Sequence, residues 1–182
     1  NPGGGLAKMG GYIAGRQELV ERVSYRLTVP GIGKEMGASL NALTDMFQGF
    51  YMAPHAVVES LNGAVLTSHV LRKIGMTTDP APADKRTDLI QTVSFNSEDE
   101  MIKFTQMIQK ASPVNAKFMP IPDLIPGYQN PVIMAAGTFV QGASLELSAD
   151  GPIRPPYTVF VQGGLVTEHV IYALHMALEE LI

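Results

Sequence analysis

The 182 residues are 46% hydrophobic and 16% charged, with a formal net charge of -4. That composition can fill a core and excludes a disordered chain, and its scattered basic residues form no positive stripe for nucleic acid. No apolar run approaches the roughly 18–20 residues of a membrane-spanning helix, no hydrophobic leader is visible, and the absence of cysteine excludes disulfides and Cys-based metal sites; the chain reads as cytoplasmic.

The first residues are Asn1-Pro2-Gly3-Gly4-Gly5 rather than Met, which reads as a start within a domain. Successive glycines preclude a helix or regular strand there. Gly10-Gly11-Tyr12-Ile13-Ala14-Gly15 reads as a short buried strand. A helix follows over residues 17–27, with Leu19, Val23 and Tyr25 inward, and Pro30-Gly31-Ile32-Gly33 breaks it. A second helical pattern covers residues 36–51.

Pro54 suits the first turn of a third, longer helix, because its missing N–H costs nothing there. Val57, Leu61, Ala64, Val65 and Leu71 follow at helical spacing, and Gly75 is the expected stop. Asp79-Pro80-Ala81-Pro82-Ala83-Asp84 is the clearest linker. The expected organisation is therefore residues 1–78 as one unit ending in a connecting helix, a linker at 79–87, and a small α+β domain at 88–182.

Residues 89–95 read as a strand. Ser97 and Glu100 then form the Ser-x-x-Glu capping box of a helix that buries Met101, Phe104 and Ile108 and ends at Pro113. Short strands are expected at 116–119, 132–136, 144–147 and 157–162. The last helix spans 167–181, with Val170, Leu174, Ala177 and Leu181 on one face.

Few side chains invite chemistry on their own. The four histidines at 55, 69, 169 and 175 lack metal-ligand spacing. The glycine-rich run at 3–11 matches neither a Walker A loop nor a dinucleotide fingerprint, although such turns allow close backbone approach to a ligand. Lys8, within that run, is a candidate nucleophile whose plainer reading is a solvated surface lysine. Arg86 and Asp88 read as a local pair, and His55 as a polar cap at the start of a helix.

Taken together, Asn1-Pro2-Gly3-Gly4-Gly5-Leu6-Ala7-Lys8 with Gly10-Gly11-Tyr12-Ile13-Ala14-Gly15, then Tyr25-Arg26-Leu27-Thr28, Ala53-Pro54-His55, Arg86-Thr87-Asp88-Leu89-Ile90-Gln91 and the dense stretch from Pro131 to Pro156, resemble the methionine gamma-lyase-like, aluminium resistance family over essentially the whole chain. The resemblance implies an α/β protein, the carboxyl-terminal part of a fold-type-I pyridoxal-phosphate-dependent transferase fold. In it the end of a large cofactor-binding domain is followed by a small α+β domain, and the relatives include the cystathionine beta-lyases.

The implied cofactor is pyridoxal 5'-phosphate, held as an imine by a lysine just before Asn1, with Lys8 as the rival. Asn1, Gly3, Gly4 and Gly5 belong to the implied cofactor-binding segment. Arg154, between the turn at Asp150-Gly151-Pro152 and a predicted strand, is the implied grip for a substrate α-carboxylate, because a planar guanidinium binds one through two parallel hydrogen bonds. Its plainer reading is a surface salt bridge, for instance to Asp150.

The implied reaction is elimination at the β or γ carbon of a sulfur-containing amino acid. A homodimer or homotetramer is expected, completed by the amino-terminal part of the same protein. A non-catalytic scaffold retaining the fold, and an aminotransferase, are the alternatives.

Overall fold

The computed structural model describes residues 5–7, 11–35, 42–140 and 142–182. Four helices, α1 (Gln17–Leu27), α2 (Leu43–Lys73), α3 (Glu98–Lys110) and α4 (Thr167–Leu181), accompany five strands, β1 (Thr77–Asp79), β2 (Ile90–Ser94), β3 (Val132–Ala135), β4 (Ser148–Pro152) and β5 (Thr158–Gln162). The strands make one sheet of order β1-β2-β5-β4-β3, every pairing antiparallel.

One face of the sheet is covered. Val93, Val159, Val161, Ala149, Ile133 and Ala135 point to it at the two-residue period of a half-buried sheet. Against them lie Met101, Phe104 and Ile108 of α3 and Val170, Leu174 and Ala177 of α4, as their helical spacing predicted. Phe95 and Phe104 pack with ring centroids 5.1 Å apart. The expected cap is made in part: Glu100 N–H donates to Ser97 Oγ at 3.2 Å, while the Glu100 carboxylate accepts at 3.0 Å from the N–H of Asn96, one residue ahead of the cap. The other face leaves Met134 and Phe160 exposed.

Helix α2 corrects two expectations at once. Pro54 lies inside a single 31-residue helix rather than opening a new one. Proline removes one N–H and crowds the carbonyl four residues back; that carbonyl belongs to Phe50, on a stretch where Phe50 and Tyr51 are exposed, so water can take the freed acceptor. His55 is accordingly an exposed residue within a helix and caps nothing. Residues 36–41 lie outside the described residues.

The buried face of α2 is small and polar, Ala56, Ser60, Gly63, Ala64, Thr67, Ser68 and Leu71, while Val57 and Val65 are exposed. Small residues let α4 approach closely: a Cβ on Gly63 would sit 2.7 Å from Val170 Cγ2. The stop is at Gly75 as expected, with φ +93 and Met76 N–H reaching back to the Leu71 carbonyl at 3.0 Å.

Further differences share one cause, the partner an element meets. Residues 11–14 form no strand, and Tyr12 and Ile13 are exposed, because no described strand pairs with them; Gly10 lies outside the described residues. Helix α1 has the expected span yet buries nothing, leaving Leu19 and Tyr25 exposed, because its packing partner is a short 3-10 turn at Gly33–Glu35. Residues 116–119 are irregular and mostly exposed. The strand expected at 144–147 lies instead at Ser148–Pro152. A three-residue strand not anticipated in the sequence, β1, pairs Thr78 with Val93.

Candidate active site

The feature with the most chemical promise is a cavity of about 370 Å³ between the end of α3, the loop from β3 to β4, and the start of α4. Ala111, Pro113, Phe139, Leu147, Leu165 and Val166 make most of its wall, and Glu146 and His169 are its ionisable members.

Local packing explains the shape. Gln109, buried near the end of α3, accepts from Ala136 N–H at 2.8 Å and donates to the Asn115 carbonyl at 3.1 Å, tying the helix end to the end of β3. At Gly137 the loop passes so close that a Cβ would lie 2.2 Å from Ser112 Cβ. His169 Nε2 donates to the Ala111 carbonyl at 3.0 Å, closing the α4 side.

The loop then turns on Glu146. This carboxylate is only 3% exposed and accepts two backbone hydrogen bonds, from Phe139 N–H at 2.7 Å and Val140 N–H at 3.0 Å. A buried carboxylate needs such partners to remain in place. The backbone around it is equally committed: Gly164 N–H donates to the Leu145 carbonyl at 2.8 Å, and the Ser60 hydroxyl of α2 lies 3.0 Å from the Gly164 carbonyl oxygen. Leu145, Glu146 and Leu147 are all buried, which is why this stretch is a folded-in loop rather than an alternating strand.

The residues singled out in the sequence fall into two groups. Asn1, Gly3, Gly4 and Lys8 lie outside the described residues, and the lysine expected before Asn1 lies outside the chain. Gly5 is described and meets the loop: its φ is +97, and a Cβ there would come within 2.9 Å of Val140 Cγ2 and 3.8 Å of Glu146 Oε2. Only glycine suits both the backbone and the space. Gly5 thus packs closely against the loop that walls the cavity.

Arg154 is elsewhere. It is exposed on the turn joining β4 to β5, where Tyr157 N–H donates to its carbonyl at 2.7 Å. The cavity lies beyond the opposite end of β4, and at about 3.4 Å per residue the strand separates the two by roughly 15 Å. The structure does not bring Arg154 to the cavity. Nor does Arg154 form the surface salt bridge to Asp150: among the described residues the ion pairs are Lys103 with Asp99 and His175 with Glu179. Burial pushes the half-buried Asp150 carboxyl above its usual range.

Arg86 and Asp88 do not pair either. Arg86 Nη2 donates to the fully buried Gln91 side chain, its Nε and Nη1 are buried without a partner, and its burial lowers the guanidinium's pKa. Asp88 instead accepts from Ile90 N–H at 2.8 Å. Tyr12 packs edge-on against Phe50 at 4.6 Å.

Glu146, Gln109 and His169 were missed in the sequence. A lone acidic residue between two leucines was the available signal, since charged residues are buried only when something satisfies them. Among the described residues no group of three His, Asp or Glu side chains could hold a metal ion, and no helix is long and apolar enough to cross a membrane.

Comparison with known proteins follows this geometry. The chain is 58% identical over 182 residues to the YnbB protein of Bacillus subtilis, covering 100% of this chain and 43% of that one. The structure superposes with a TM-score of 0.96 and 55% identity on a Listeria monocytogenes protein provisionally named a cystathionine beta-lyase involved in aluminum resistance, covering 100% of this chain and 45% of that one. It superposes with a TM-score of 0.92 and 43% identity on a carbon-sulfur lyase involved in aluminum resistance from Clostridium novyi, covering 100% and 42% respectively. The chain spans less than half the length of these relatives. The family model for methionine gamma-lyase matches residues 1–182, and the chain belongs to the methionine gamma-lyase family.

Proposed function

We propose that the chain is the carboxyl-terminal part of a pyridoxal-phosphate-dependent carbon–sulfur lyase of fold type I, one that eliminates at the β or γ carbon of a sulfur-containing amino acid and works as a homodimer or homotetramer. The observation that carries the reading is the match of the methionine gamma-lyase family model over residues 1–182. The carbon–sulfur lyase name of the Clostridium novyi relative supports the reaction class.

Pyridoxal phosphate, when bound, draws electrons from the bonds at the substrate Cα and so loosens a group on the β or γ carbon. The lysine ahead of Asn1 would hold it and carry protons, with Asn1, Gly3, Gly4 and Gly5 giving close backbone approach. Arg154, exposed and without an ion-pair partner among the described residues, would bind a carboxylate from the turn end of β4. Replacing it by Ala is expected to raise KM more than it lowers kcat.

The test is borohydride reduction of the natural full-length protein followed by peptide mass mapping, with thiol, ammonia and keto-acid release measured from thioether amino acids. A pyridoxyl adduct on the lysine before Asn1 together with thiol release is the expected result. An adduct on Lys8 would transfer the role to that residue. Absence of any adduct would favour the scaffold, and amino-group transfer to an added keto acid would favour an aminotransferase.

A further inference from the structure

Glu146 carries two observations that a purely structural loop residue does not need together. Both its carboxylate oxygens are committed to the N–H groups of Phe139 and Val140, adjacent residues at the tip of the loop. The same carboxylate faces the position of Gly5, and Val140, the residue it holds, is the one that closes on Gly5. Thr138 braces the tip from the other side, its hydroxyl donating to the Val140 carbonyl at 2.9 Å. Gly5 therefore meets the Val140 side chain at a place that the Glu146 carboxylate fixes through the Val140 N–H.

We propose that Glu146 is a positioning residue: it fixes the Phe139–Val140 wall against which Gly5 packs, and so sets where the lysine ahead of Asn1 is held. The inference rests on the cofactor reading above. Charge-assisted hydrogen bonds to a carboxylate are shorter and about twice as strong as neutral ones, and a carboxylate can accept at both oxygens where a glutamine can accept at only one. Glu146→Gln therefore frees one of the two N–H groups while preserving volume.

The experiment uses the natural full-length protein loaded with pyridoxal phosphate. Three quantities are read: cofactor retained after exhaustive dialysis, the pH titration of the lysine-bound cofactor's visible absorbance, and the thermal midpoint of the cofactor-free protein. E146Q is expected to lose cofactor about tenfold faster than wild type, the consequence of one lost charged hydrogen bond, and to shift the titration, while the cofactor-free midpoint falls modestly because one N–H loses its partner. Val140→Ala keeps the carboxylate's partners and opens the wall against Gly5; it is expected to shift the same two cofactor readouts in the same direction.

Wild-type protein that takes up no cofactor overturns the proposed function and this inference with it. Wild-type protein that binds cofactor, while E146Q and V140A retain and titrate it as wild type does, overturns the role of Glu146 alone. Should E146Q fail to fold, V140A decides, and an unchanged V140A counts against the proposal.

Discussion

Replacing Gly163 by Ala should damage the protein far more than a methyl group suggests, and the structure says by how much. Gly163 has φ +81, which costs a residue bearing a Cβ about 1–2 kcal/mol. Its Cβ would also lie 2.1 Å from the Glu146 carbonyl oxygen and 2.8 Å from the Leu145 carbonyl carbon. Carbon and oxygen tolerate about 3.3 Å, so the backbone must move by more than about 1 Å. That shift breaks the hydrogen bond from Gly164 N–H to the Leu145 carbonyl, and stranding a buried partner costs about 1–3 kcal/mol.

The expected loss is therefore roughly 2–5 kcal/mol. Gly75→Ala is the control: its φ is +93 but nothing lies within 4 Å of the added Cβ, so it suffers the strain without the collision. Urea unfolding of the natural full-length protein, read as the shift in midpoint at constant slope, measures both. A difference between the two variants below about 0.5 kcal/mol would refute the close approach of the two loops on which the cavity is built.

Other outcomes follow from the same structure. Ser97→Ala should cost about 1 kcal/mol in urea unfolding, because it strands Glu100 N–H at the start of α3. Phe104→Ala, at a fully buried position, should cost about 3–5 kcal/mol, whereas Phe160→Ala on the open face should cost less than about 1 kcal/mol. Glu59 accepts two hydrogen bonds from Thr167, which hold its carboxyl below the ordinary value of 4.5. Its contribution is present above that value and lost as pH falls through the lower folded one, so Glu59→Gln should flatten the acid limb of stability relative to wild type. Asp150 has the opposite sign. Its folded value is raised above 3.8 by burial, so its stabilisation is present below 3.8 and lost as pH rises through the folded value, and Asp150→Asn should be the more stable protein at neutral pH.

Local signals sufficed where an element's own residues decide its fate. The span of α3 was legible because Ser97 accepts from Glu100 N–H in its first turn whatever lies nearby, and the span of α4 because Val170, Leu174 and Ala177 recur at the helical period. The positive φ of Gly5 and its missing Cβ space against Val140 are packing constraints that only the folded chain reveals.

Tertiary structure decided the rest. Pro54 reads as a helix start, yet one missing N–H is affordable where the orphaned carbonyl faces water, and only the exposed surroundings of Phe50 reveal this. Leu145-Glu146-Leu147 reads as part of a strand, but two backbone N–H groups from Phe139 and Val140 and a close approach by Gly163 turn it inward, and no local pattern encodes a partner 6 or 7 residues back together with one just past the end of β5. The distance between Arg154 and the cavity is likewise set by the length of β4 and the order of the sheet. Capping and periodicity act within a few residues and are written in the sequence; burial of a charge, and which loop lies over which glycine, depend on chain segments that meet only once the sheet has formed.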